Sequence, residues 1–402
     1  MKILIRFILF FSFFVSLAVF NLQSVSWGLQ LSWFLSIIFL IIFTLILIKR
    51  NKIIVTKKLK YFSLFIIYFI ISTITSLIML KFSIIDISKD VSSSDLINRS
   101  ITHSIYLIFN FLVSIYIYIY FQHKQSIQDI VKYFIFYPSL VIMLIGIYVF
   151  LATYSLVPVD SILHNNLSLG YTFDRFKGDH RTASVFAEPS HYATYIAFLL
   201  PIYYAYFKKK IKIVSYSYRL PLFILYVAQI IMIKSMSFYL VLPIILIISY
   251  YTVNEKRINL KNFFYILSAT TLAVVIIATF MFSRINEMII GQDGSFIIRF
   301  NTFLNSIDLF LSSPIIGVGY GAIRGIDSFS TLLATIGILG FITFIFFLKK
   351  IHKDLNRFQK LIYVGFICMF ITTLPADGMM DYLYFWIIIS IILVNFKPKG
   401  LK

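Results

Sequence analysis

Leu31-Ser32-Trp33-Phe34-Leu35-Ser36-Ile37-Ile38-Phe39-Leu40-Ile41-Ile42-Phe43-Thr44-Leu45-Ile46-Leu47-Ile48 runs without a charge and stops at Lys49-Arg50. An apolar run of about 20 residues is what a helix needs to cross ~30 Å of hydrocarbon. The run shows no alternation of period two, so it does not read as a strand of a lipid-facing barrel. With barrels set aside, helices are the only element that satisfies its own backbone in lipid. The stretch therefore reads as a membrane span, and the Lys-Arg pair as its aqueous stop.

Runs of this kind recur along the whole chain. Of 402 residues, 60% are hydrophobic and 13% charged, with mean hydropathy +0.92. A soluble domain carries nearer ~45–50% apolar residues. The expected fold class is all-α: a polytopic helical bundle of about a dozen spans, forming a single membrane domain over 1–402. Spans are expected near 3–22, 29–48, 61–80, 103–121, 133–152, 192–207, 220–234, 236–252, 262–282, 328–348, 361–376 and 382–396. Lys2 to Phe20 has the look of a signal peptide. No small-residue cleavage site follows it and further spans do, so it is expected to stay as the first helix. The seventh and eighth spans are separated only around Lys234-Ser235-Met236-Ser237, which predicts a tight hairpin, crossing or re-entrant.

The formal net charge of +20 invites a nucleic-acid partner. Its distribution argues otherwise. With the N-terminus inside, Lys49, Arg50, Lys52, Lys57, Lys58 and Lys60 share one inner loop. Lys208, Lys209, Lys210, Lys212 and Arg219 share a second, and Lys349, Lys350, Lys353, Arg357 and Lys360 a third. About 26 of the 36 Lys and Arg fall inside, and about 13 of the 16 Asp and Glu outside, the pattern of the positive-inside rule. Both termini are then cytoplasmic, and the basic loops face anionic lipid rather than nucleic acid. Cys368, the single cysteine, lies in an apolar run, so neither an intramolecular disulfide nor a thiolate metal cluster can form.

Polarity concentrates in the outer segments. The stretch 81–102 reads as a solvated loop, whereas 153–191 and 283–327 interleave aromatic residues with charges and are long for idle loops. The first of these ends in His180-Arg181-Thr182-Ala183-Ser184-Val185-Phe186-Ala187-Glu188-Pro189-Ser190-His191-Tyr192. Pro189 suits the first turn of a helix, and Glu188 before it would face the positive helix end. That is one reading. The other is an acid and a guanidinium held at membrane depth, where ionisable groups are costly and usually functional. Arg181 would then bind a phosphate in bidentate fashion and Glu188 would take a proton from a hydroxyl.

The pattern Arg181-x-x-Ser184-x-Phe186-x-Glu188-Pro189-Ser190, entering an apolar helix after a long outer loop, resembles the signature of Wzy-type polymerases. These polymerise O-antigen and capsular repeat units and share a superfamily with the O-antigen ligases. Ser313-Pro314-Ile315-Ile316-Gly317-Val318-Gly319-Tyr320-Gly321 is similar to the family's P-x-x-G-x-G-x-G segment, and Leu332 to Gly340 to its helix with a Gly-x-x-Gly pair. The resemblance covers essentially the whole chain.

It implies a bacterial cytoplasmic-membrane glycosyltransferase that joins undecaprenyl-diphosphate-linked repeat units on the outer face, without metal or cofactor. Its implied partners are lipid-linked donor and acceptor and membrane lipids, with a flippase and a chain-length regulator as further ones. A departing diphosphate needs cations, and Arg181, Arg299 and Arg324 lie near apolar helix ends. The catalytic candidates are Glu188, Arg181 and His191. The substrate-binding candidates are Arg299, Arg324, His180, Gly317, Gly319 and Asp377.

Each of these has a plainer reading. The histidines would serve as well in packing, without metal-site spacing. The arginines could face solvent or lipid phosphate. Asp377 and Asp381 could cap the last helix, and Lys234 could snorkel. Glycines 317, 319 and 321 follow no strand, which excludes a nucleotide fingerprint. Ligases carry a histidine where Ile326, Asp327 and Ser328 stand here, which disfavours that role. The form with an Arg followed ten residues on by Gly is also absent. A non-enzymatic flippase would need charges mid-helix, and the expected spans carry almost none.

Overall fold

The structure, a computed structural model, describes residues 1–22, 27–48, 56–82, 93–158, 180–254, scattered residues of 263–290, 294–321, 327–353, 355–373 and 382–396. These are mostly helical, with almost no strand. The elements are α1 (Lys2–Phe11), β1 (Ala18–Leu22), β2 (Trp27–Gln30), α2 (Leu31–Ile48), α3 (Lys57–Lys81) and α4 (Ser93–Lys124). Then come α5 (Ile127–Ile130), a π-helical stretch Val131–Phe136, α6 (Tyr137–Thr153), α7 (Pro189–Phe207), α8 (Arg219–Ile233) and α9 (Met236–Asn254). The chain closes with α10 (Gly294–Ser312), α11 (Ser328–Ile351), α12 (Arg357–Thr372) and α13 (Leu383–Leu393).

Six helical stretches are long and apolar enough to cross a membrane: 57–79, 100–124, 127–153, 216–233, 236–254 and 328–351. This makes a multi-pass membrane protein, with half of the expected dozen spans reaching full length among the described residues. The hairpin at Lys234 is a pair of full-length helices, turned by Lys234 in the left-handed region (φ 45°). The expected 262–282 span lies largely outside the described residues. Where spans 361–376 and 382–396 are expected, the described helices Arg357–Thr372 and Leu383–Leu393 are short.

The first expected span is corrected. Residues 3–22 do not form one helix: α1 stops at Phe11, and the chain continues into β1, which pairs antiparallel with β2. The apolar residues between are buried all the same. Phe13 has no exposed surface and packs on Phe134, Tyr195 and Tyr384 at ring separations of 4.6–5.1 Å. Hydropathy registered their burial; it carried no information on backbone shape.

At the centre stands α7. Every residue in it except Tyr204 and Phe207 is buried, as expected of a helix enclosed on all sides by neighbours. It packs on α8, α9 and α12. Hydrogen bonds between elements fix how the later helices align. Gln359, on the first turn of α12, donates to the Ile391 and Ile392 carbonyls at the end of α13 (3.0 and 3.2 Å). Ser328 N–H, opening α11, donates to Thr373 O just past α12 (3.0 Å). His191 meets Tyr382, the residue before α13. The starts of α7, α11 and α13 and the close of α12 therefore gather at one end of the bundle. Near the start of α5–α6, Arg6 places Nε and Nη2 on Asp129 Oδ1 (3.0 and 2.7 Å) and its guanidinium over Tyr133, holding the short α1 in place.

Helix α11 is broken at Gly337 (φ 64°, ψ −174°). A break in lipid leaves backbone groups that must find partners. Here the segment 313–321 supplies them. Val318 and Gly319 N–H donate to the Ala334 and Thr335 carbonyls (2.8 and 3.0 Å). Ile338 and Leu339 N–H donate to the Pro314 and Ile315 carbonyls (2.9 and 3.4 Å). From α3, Ser72 and Ser76 hydroxyls donate to Ile316 O and Gly317 O (2.6 and 2.8 Å). Gly317 sits at φ +86°, and a Cβ there would lie 2.4 Å from the Thr335 carbonyl. Only glycine fits that splice.

Candidate functional site

The stretch Thr182 to Ala187 is buried and pinned to two helices and to the chain that precedes β1. Thr182 N–H donates to Met232 O at the end of α8 (3.2 Å). Ser184 Oγ donates to Ile142 O on α6 (2.6 Å). Val185 O accepts both the N–H and the hydroxyl of Ser16 (3.2 and 2.8 Å). Ser184 holds φ +50°, uncommon for a residue other than glycine, and its N–H is met by Thr182 Oγ1 (3.1 Å). A non-glycine held in this way costs about 1–3 kcal/mol, which the surrounding contacts must offset. Such clamping fixes where the next residue emerges.

That residue is Glu188. It occupies the N-cap position of α7 with extended backbone (φ −142°, ψ 156°), and Pro189 opens the helix. Its carbonyl accepts Tyr192 N–H (3.1 Å), but its carboxylate does not cap its own helix. Instead Oε2 accepts the Ser190 hydroxyl (3.2 Å) and stands 3.7 Å from Nη2 of Arg299 on α10. Both side chains keep about a third of their surface open, 36% for Glu188 and 29% for Arg299. The two long segments expected outside thus meet through one acid and one guanidinium.

Other candidates fall around this pair or away from it. His191, three residues along α7 from Glu188, is 4% exposed. Its Nδ1 lies 3.4 Å from the Tyr382 hydroxyl, with the rings edge to face at 5.6 Å. Arg181 is half-buried, immediately before the pinned stretch. His180 stacks flat on Tyr154 (4.0 Å, 8°) with Nδ1 3.2 Å from Thr153 O. A carbonyl only accepts, so Nδ1 carries the proton there. Gly317 and Gly319 belong to the splice of α11 and are buried between α3 and α11. Asp327 caps α11 by accepting Ser330 N–H (2.6 Å). Arg324, Asp377 and Asp381 lie outside the described residues. Among the described residues no cluster of three His, Cys, Asp or Glu is set to hold a metal.

Sequence reading missed Ser16, Tyr154 and Tyr382. Ser190 stood in the quoted motif, and its hydroxyl two residues from the acid was a usable signal. The others come from distant segments, and nothing local marks them.

Fold and site together define a class: a multi-pass helical membrane protein carrying an acid–guanidinium pair where its central helix begins. No family model, curated protein or solved structure matches the chain.

Proposed function

We propose that this chain is an integral-membrane glycosyltransferase of the polymerase type, working on the outer face of a bacterial cytoplasmic membrane. The observation that carries the reading is the meeting of Glu188 with Arg299 at the start of α7. In the proposed step, a sugar hydroxyl of the acceptor gives its proton to Glu188. The freed oxygen bonds to the anomeric carbon of the donor glycan, the bond from that carbon to the diphosphate oxygen breaks, and undecaprenyl diphosphate leaves. Arg299, with Arg181 and Arg324, balances the charge that builds on the diphosphate. Preorganised cations of this kind are usually the largest catalytic term, and a general base adds ~10²–10⁴.

The test is deletion of the coding gene followed by analysis of lipid-linked and surface glycans. Single repeat units in place of long chains support a polymerase. Long chains that stay unattached overturn it in favour of a ligase, and unchanged glycans overturn both. Arg181→Ala and Glu188→Ala should reproduce the deletion with protein levels retained; full activity in both sinks the site.

A further inference from the structure

Helix α10, which brings Arg299 to Glu188, presents three distinct stripes along its length. Ile297, Phe300, Leu304, Ile307 and Leu311 recur at intervals of three and four and are all exposed, Leu311 by 65%. Beside them, Asn301, Asn305, Asp308 and Ser312 form an exposed polar stripe with the same spacing. Thr302, Ser306 and Leu309 form the third, turned into the protein, with Ser306 and Leu309 both buried. A helix exposing an apolar stripe directly alongside a polar one is built for a boundary between two solvents.

Position identifies that boundary. Arg299 meets the residue that opens α7, while Leu309 packs with Val318 and Ala334 beside Met79. Ala334 belongs to the early turns of α11, and Met79 to the last turn of α3. The Arg299 and Leu309 contacts of α10 thus both fall among the first turns of α7 and α11 and the last turn of α3, toward one end of the bundle. The helix is also absent from the stretches apolar enough to span. The spans beside it expose apolar residues as well, Ile71, Ile74 and Ile78 on α3 and Ile338, Ile342 and Ile345 on α11. On those full-length helices, such residues face acyl chains.

We infer that α10 is an interfacial helix, seated with its apolar stripe among the phospholipid acyl chains of the leaflet on the Glu188 side and its asparagine stripe in water. Helices of this type sink ~5–10 Å into the headgroup–acyl boundary. Arg299 is then held at the level of lipid phosphates, and the Glu188–Arg299 pair is reached sideways from the bilayer. The lipid seat stands on geometry alone. Its use, delivery of a lipid-borne diphosphate to Arg299, rests on the proposed function.

The experiment is power-saturation EPR on the full chain in nanodiscs of phosphatidylethanolamine and phosphatidylglycerol. Single cysteines at Phe300, Leu304 and Ile307 are compared with single cysteines at Asn301, Asn305 and Asp308. The unsubstituted chain, whose Cys368 is buried, gives the background. The expected result is severalfold higher oxygen than nickel-chelate accessibility at the first three positions and the reverse at the second three. High nickel accessibility at all six would place the helix in water. Low accessibility to both reagents at Phe300, Leu304 and Ile307 would mean a protein partner covers the stripe. Either outcome overturns the lipid seat, and neither bears on glycan products, so the two readings fail separately.

Discussion

The segment around Glu188 and the segment around Gly317 carry the two motifs that stand out in the sequence, and the fold uses them in opposite ways. In the glycine segment the backbone is consumed by the structure. Its N–H and C=O groups close the break in α11, and hydroxyls of α3 take carbonyls of the same segment. In the Glu188 segment the backbone is equally tied down, yet the carboxylate is left a third open beside a guanidinium that is also partly open. Packing accounts for the glycines without any ligand. The acid is held by the Ser190 hydroxyl and stands beside Arg299 with part of its surface open. A motif made of backbone requirements can be structural in full, while one that brings a charge to a rigid, partly open exit is the place where the proposed function can be tested.

The largest effect that tests this contrast is Gly317→Ala. The new methyl would meet the Thr335 carbonyl at 2.4 Å in a left-handed backbone. Strain and overpacking of about 1–3 kcal/mol each predict a loss of roughly 2–6 kcal/mol, read as a collapse of monodisperse yield and a lower Tm in detergent. Normal stability would break the view of this segment as a splice. Next comes Glu188→Gln, which keeps size and exposure. It should leave Tm unchanged and, on the proposed function, cut polymerisation by about 10²–10⁴, read from chain formation on lipid-linked substrate. A variant that is unstable but active would invert the comparison. Tyr382→Phe is smaller: loss of its contact with His191 should cost about 0.5–1.5 kcal/mol in thermal stability.

Sequence and structure agree where a signal accumulates over many residues. The spans at 61–80, 103–121, 133–152, 236–252 and 328–348 each coincide with a full-length helix to within a few residues, because hydropathy sums over a turn-by-turn pattern. They part where one residue decides. Gly337 breaks α11 between two apolar halves, and the groups that repair it come from Pro314 to Gly319, so no local hydropathy shows the break. Phe13 and Phe14 are as buried as any helix residue, which made 3–22 read as a span although the chain there is bent. In the candidate site, residue type and place in the sequence single out Glu188, Arg299 and His191, and the structure brings the first two together. Nothing singles out Tyr382 and Ser16, which look like ordinary apolar-flank residues until the bundle closes on them.

The smallest effect is the most discriminating for the pair itself. Glu188 and Arg299 stand 3.7 Å apart with about a third of each side chain open to solvent. Pairs of that kind contribute only about 0–1 kcal/mol to stability, because water and salt screen them and two long side chains lose freedom to hold one geometry. A double-mutant cycle with Glu188→Gln and Arg299→Gln should therefore show a coupling below about 1 kcal/mol in Tm-derived stability. In activity the same cycle should be strongly non-additive, since either change alone removes a member of one constellation and the second finds little left to lose. A large coupling in stability with additive losses in activity would mean that the pair is a structural clasp holding α10 to α7. The Glu188 segment would then join the glycine segment as architecture, and the acid would no longer need a substrate to explain it.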